Sequence, residues 1–145
     1  MFEITIHCDS ADFLKITLLG RSHPGADDYW DGNWVKSTIE VQVGGFRGSV
    51  VADLRTDELA RFLDQLRPLQ SSLRGTAEFE SMERWLSIRG TGDGRGHMEF
   101  RCVVQDQPGV GNKLDFTLAT DQSFCQTTVK ELAAALQAFP VIGSP

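Results

Sequence analysis

The strongest constraint on this fold is a pattern that occurs twice. Short runs of alternating apolar and polar residues follow one another, and each series closes with one segment of helical spacing. Phe2, Ile4, Ile6 and Cys8 alternate with Glu3, Thr5 and His7, the two-residue period of a strand with one buried face. After an Asp9-Ser10 turn, Leu14, Ile16 and Leu18 repeat it, then Ile39, Val41 and Val43, then Phe46, Gly48, Val50, Ala52 and Leu54. Gly44-Gly45 between the last two runs is a tight-hairpin signal, because glycine accepts the positive φ such turns need. Thr56 is then a candidate N-cap with Asp57 and Glu58 in the first turn. Leu59, Phe62, Leu63 and Leu66 fall on one helical face, and Pro68 predicts its end or a kink.

The second half runs the same way. Ala77–Glu80, Trp85–Ile88, the alternation of Met98, Phe100, Cys102 and Val104, and Leu114, Phe116 and Leu118 read as strands. Gly90–Gly96 reads as a flexible hairpin connection. Thr128 with Glu131 predicts a capping box opening a helix lined by Val129, Leu132, Ala133 and Leu136, and Pro140 predicts its stop. The expected fold is therefore α+β, in the order ββββα-ββββα. About eight antiparallel strands form a curved sheet or two sheets, covered by two helices. At 145 residues the chain is expected to be one domain, with residues 1–74 and 75–145 as pattern-level repeats.

Composition excludes several classes. With 41% hydrophobic and 23% charged residues the chain is not intrinsically disordered, and its apolar runs are too short for a membrane span. The start, Met1-Phe2-Glu3-Ile4, lacks the features of a secretion signal. Three cysteines without a Cys-x-x-Cys pair fit a reducing compartment, so a cytoplasmic location is expected. The net charge of −6, from 20 acidic and 14 basic residues, comes with no basic cluster, which disfavours direct binding to DNA or RNA. Such a chain suits a basic partner.

Catalytic and metal chemistry find little support. His7 and Cys8 point to opposite faces of a strand and cannot pair as nucleophile and base. Cys8 and Cys102 fall in register with apolar residues, whereas Cys125, in an expected loop, is the candidate exposed thiol. The histidines and cysteines are scattered singly, unlike a zinc site. Asp27, Asp28 and Asp31 lack the ladder of a calcium loop. The glycines of 90–96 join two strands and carry no lysine, unlike a phosphate-binding loop. No enzyme activity, metal or cofactor is expected.

The most unusual stretch is Asp27-Asp28-Tyr29-Trp30-Asp31-Gly32-Asn33-Trp34, which crowds aromatics and carboxylates into what reads as a loop. Aromatic faces beside carboxylates hold partner proteins or sugars. Equally, the tryptophans can pin the loop inward while Asp and Asn serve as turn formers. Both readings stand at this point.

Asp28–Trp34, then Gly44-Gly45-Phe46-x-Gly48, then Asp53-Leu54-Arg55 make a combination that resembles the WapI family of immunity proteins. Ala77-Glu78-Phe79-Glu80, Asp106-Gln107-Pro108-Gly109-x-Gly111-Asn112-x-Leu114 and Asp121-Gln122-Ser123 extend the resemblance over nearly the whole chain. The resemblance implies a cytosolic bacterial protein that binds and blocks the C-terminal toxin domain of a cell-surface polymorphic toxin, commonly a nuclease. An acidic inhibitor suits such a basic target. The candidate partner-binding residues are Asp27, Asp28, Tyr29, Trp30 and Asp31. A module binding a small ligand or carbohydrate through the Asp27–Trp34 loop is the alternative.

Overall fold

The computed structural model describes residues 1–145. Strands β1 (Phe2–His7), β2 (Phe13–Arg21), β3 (Trp34–Val43) and β4 (Phe46–Arg55) form one antiparallel sheet in that order, with a one-turn helix α1 (Tyr29–Gly32) between β2 and β3. Helix α2 (Thr56–Ser72) follows. Strands β5 (Arg74–Glu80), β6 (Leu86–Asp93), β7 (His97–Gln105) and β8 (Lys113–Asp121) form the second sheet, again in sequence order, and helix α3 (Gln122–Ala138) closes the chain. The α+β expectation holds: the eight antiparallel strands are split between two four-stranded sheets, with two long helices. A core cluster of 28 buried apolar residues draws on both sheets and both long helices.

The hairpins follow from local chemistry. Val43 faces Phe46 across the two-residue turn, with Gly44 at φ 57°. Between β6 and β7, Asp93 accepts from the amides of Arg95 and His97, closing the turn. Only Gly94–Gly96 form this turn. Gly90 and Gly92 lie inside β6, so the glycine-rich stretch is not a loop throughout. Gly90 stands opposite Phe100, and a Cβ there would run into the Phe100 ring. The glycine makes room for the buried aromatic.

Both long helices depart from their expected ends, except that α3 stops at Ala138, just before Pro140 as expected. Thr56 is not a cap; Arg55 holds the N-cap position, and Thr56 Oγ1 instead donates to Asn33 Oδ1. Pro68 neither ends nor breaks α2. It sits on the solvent side, and the buried Leu66 and Leu69 on either side hold the helix to the core as far as Ser72. The turn then reverses through Leu73, in the left-handed region at φ 66°. Helix α3 begins at Gln122, where Asp121 accepts from Phe124 N–H, so Thr128 and Glu131 lie inside it. Cys125 is likewise helical and buried rather than exposed in a loop, and burial pushes its thiol up to about 11. Cys8 lies just past β1, half-buried, with its thiol on Asp12 O.

The helices cover sheet edges crosswise. Glu131 Oε1 accepts from Thr5 N–H at 3.0 Å, and Thr128 Oγ1 donates to Thr5 O at 2.6 Å, so α3 of the second half satisfies the outer edge of β1. Gln65 Oε1 accepts from Glu78 N–H at 2.9 Å, so α2 of the first half does the same for β5. Unpaired edges invite unwanted pairing, and a covering helix removes the template.

Gly90→Ala forces the Phe100 ring from its place. The expected outcome is a loss of roughly 1–3 kcal/mol, read as a lower midpoint in chemical denaturation. Thr128→Val removes the hydroxyl on β1 while keeping the side chain's shape. Its expected cost is about 1 kcal/mol, with amide exchange accelerated along β1.

Candidate partner-binding site

The chain between β2 and β3 leaves the sheet at Ser22 and returns at Asn33, and α1 forms its last turn. Asp28 caps that turn, its Oδ2 accepting from Asp31 N–H at 3.1 Å. Four residues make no self-sustaining helix, so neighbouring side chains must hold the turn in place.

Arg55 does most of this. It is the last residue of β4, only 1% exposed, and it fixes α1 through the main chain: Nη1 donates to Trp30 O at 2.7 Å and Nη2 to Tyr29 O at 2.9 Å. Its Nε donates to Asp57 Oδ1 at 3.0 Å, which supplies the countercharge. The guanidinium lies 4.9 Å from the Trp34 ring centre, 5.2 Å from Tyr29 and 5.7 Å from Trp30, distances at which aromatic faces attract a cation. The Tyr29 hydroxyl donates to Asp57 Oδ2 at 2.8 Å, closing a ring of contacts.

A second buried polar residue joins the turn to the chain's end. Asn33 is fully buried, donates to Tyr29 O and Ile142 O, and accepts from Thr56 Oγ1 and Ile142 N–H. Arg21 adds bonds to Gly32 O and Pro140 O. The site thus rests on β2, β4, the start of α2 and the segment after α3.

What the turn presents outward is different. Trp30 is 56% exposed and stands edge-on to Tyr29, with ring centres 5.0 Å apart. Asp27, Asp28 and Asp31 are exposed around it, while Tyr29 is half-buried and turned toward Asp57. The structure therefore brings together the five residues singled out by composition, but in two roles: Tyr29 faces inward, and the rest line the surface. Sequence reasoning missed Arg55, Asp57 and Asn33. The available signal was an arginine between the apolar Leu54 and a helix start, a position where a charge is buried only with partners.

Glu58 lies beneath the same corner, 6% exposed, with Oε1 making no hydrogen bond within the protein. Burial, and next the Asp57 carboxylate beside it, push its carboxyl up to about 7.

The model of the immunity protein WapI-like family matches residues 5–140. The chain belongs to that family. Family membership implies a toxin as the binding partner. Among curated proteins none matches. Among solved structures, the plant transcriptional regulator PBF-2 is similar at 11% identity and a TM-score of 0.55, over 95% of this WapI-like chain and 80% of that one. That likeness is one of fold. No helix of the WapI-like chain is long and apolar enough to cross a membrane.

Arg55→Met removes the nearest cation from the buried Asp57, leaving it Tyr29 and Arg61, and unpairs two carbonyls, with an expected cost of roughly 3–5 kcal/mol and a tryptophan emission shift as α1 loosens. Glu58 carries a pH signature. Its folded pKa, about 7, lies above the ordinary 4.5, so the folded state holds this proton more tightly than the unfolded one. Its stabilising contribution is complete below pH 4.5 and is lost as pH rises to about 7. Glu58→Gln should lessen that loss by roughly 3 kcal/mol, measured as the difference from the parent in denaturant titrations on either side of this window.

Proposed function

We propose that this chain is a cytoplasmic bacterial immunity protein that neutralises a basic toxin domain by covering its active surface, without catalysis, and that the α1 corner is its contact face. The observation that carries the reading is Trp30, a large aromatic more than half exposed, yet fixed through its own carbonyl to the buried Arg55. A rigid exposed tryptophan is the kind of residue that anchors protein interfaces, because it buries much area at little entropic cost. Asp27, Asp28 and Asp31 around it supply negative charge where a nucleic-acid-cleaving domain carries positive charge for its substrate. The overall charge of −6 adds long-range attraction. Family membership supports the immunity role, and the acidity supports a nuclease as the toxin. The two readings of the aromatic stretch merge here: its inward half builds the platform that its outward half uses.

An interface of ordinary size, about 1,200–2,000 Å², would extend beyond α1 onto neighbouring surface. Co-expression with the toxin domain encoded beside the gene is the test. Cell survival and a co-purifying complex are the expected outcome; death without complex, with both proteins folded, overturns the reading and turns attention to sugars as ligands. Trp30→Ala combined with Asp31→Lys should weaken the complex by about 100-fold while leaving the unfolding midpoint near that of the parent.

A further inference from the structure

Three of the four sheet edges have company. Helix α3 covers β1, helix α2 covers β5, and the Cys8–Asp12 turn lies across a cleft from Thr117–Ala119 of β8. The fourth edge, β4, lies across clefts from residues 106–114 and from Glu83, but its outward main-chain groups make no hydrogen bond. Thr56 N–H donates to Asn33 O, one step past the facing pair Trp34 and Arg55. The even-numbered residues of β4 therefore bond to β3, and Arg47, Ser49, Val51 and Asp53 turn their N–H and C=O groups away from the sheet.

The side chains along this edge are also those of an unfinished surface. Phe46 and Val51 are each 66% exposed. Gly48 leaves a gap on the inner face, where an added Cβ would meet nothing within 4 Å. The gap opens into a cleft of about 240 Å³ lined by Ile39, Val41, Phe46 and Val50 of one sheet and Val104 and Leu114 of the other, together with Arg47, Asp106, Asn112 and Lys113. Natural edge strands are usually blunted by lysine, proline or a bulge. β4 has none of these and pairs regularly with β3 along its whole length.

We infer that β4 pairs antiparallel with β4 of a second copy of this chain, about a two-fold axis through Val50. The sequence of the strand selects this occupant, because it is complementary to itself when reversed about that residue. Arg47 then faces the partner's Asp53 on the outer face, and by symmetry the pair forms twice. Neither Arg47 nor Asp53 has an ion-pair partner within one protomer; Asp53 Oδ1 accepts from Ser22 Oγ at 3.1 Å, which leaves Oδ2 for the partner's guanidinium. On the inner face Gly48 and Phe46 take register positions opposite the partner's Ala52 and Leu54, which are buried within their own protomer. The outward backbone groups of 47, 49, 51 and 53 all find partners in this register, because odd residues meet odd residues. The α1 corner is not part of the pairing, so each copy keeps its own.

Sedimentation of the purified protein over a dilution series, from low micromolar to sub-millimolar, is the test. The expected result is a mass rising toward twice the 16.1 kDa of one chain. Ser49→Pro removes an outward N–H without touching the bonds to β3, and should leave a monomer at every concentration. Val51→Lys, at a residue already exposed, should do the same with an unchanged unfolding midpoint. Arg47→Asp alone and Asp53→Arg alone should each shift the dissociation midpoint toward monomer by about tenfold, and the chain carrying both should recover the parent midpoint. A parent monomeric throughout overturns the inference, as does a dimer indifferent to Ser49→Pro and Val51→Lys, or a charge swap without recovery. A monomeric parent whose toxin capture is lost in Ser49→Pro also overturns it, by giving the edge to a strand of the toxin.

Discussion

A single buried guanidinium organises the corner on which the rest of the molecule converges. Taking Arg55 out of water is costly, and the structure offsets that cost with three kinds of contact at once: the Asp57 carboxylate, two main-chain carbonyls of α1, and three aromatic faces. Lysine, with one compact charge, could not reach these acceptors along diverging directions; the planar fork can. The bonds run to backbone on one side and to the first turn of α2 on the other. The orientation of the surface turn is thereby tied to the junction of sheet and helix. Asn33 repeats the strategy without charge, joining α1, α2 and the last residues of the chain through its one amide.

The strand pattern was legible because each strand buries one face, and period-two alternation reports that directly. Ile4, Ile6, Leu14, Ile16, Ile39 and Val41 are buried as their alternation requires. The starts of the helices were misread, for a consistent reason. Thr56, Thr128 and Glu131 are the residue types that cap helices, and here each spends its polar atoms on a distant segment. A capping motif records hydrogen-bonding capacity, and tertiary structure decides where that capacity goes. Pro68 is similar: its penalty is real but local, and the buried leucines beside it outweigh it.

At the α1 corner, composition found the right segment and could not divide it. Tyr29 and Trp30 are adjacent and chemically alike, yet one ring turns in and its neighbour out. That division depends on Arg55, 25 residues from Trp30 in sequence. No local rule encodes it. Arg55 stood out only by its place between the apolar Leu54 and a helix start, and that place does not say which distant carbonyls it will bond.

The crosswise covering of edges has a consequence for how the chain is made. The amide and carbonyl of Thr5 wait for Glu131 and Thr128, at sequence separations of 126 and 123 residues. During synthesis the first sheet emerges well before α3, the helix that seals its first strand. Until the residues between them have been added, β1 is an open template. The first half can form its hairpins alone, but it becomes safe from mispairing only once α3 has left the ribosome.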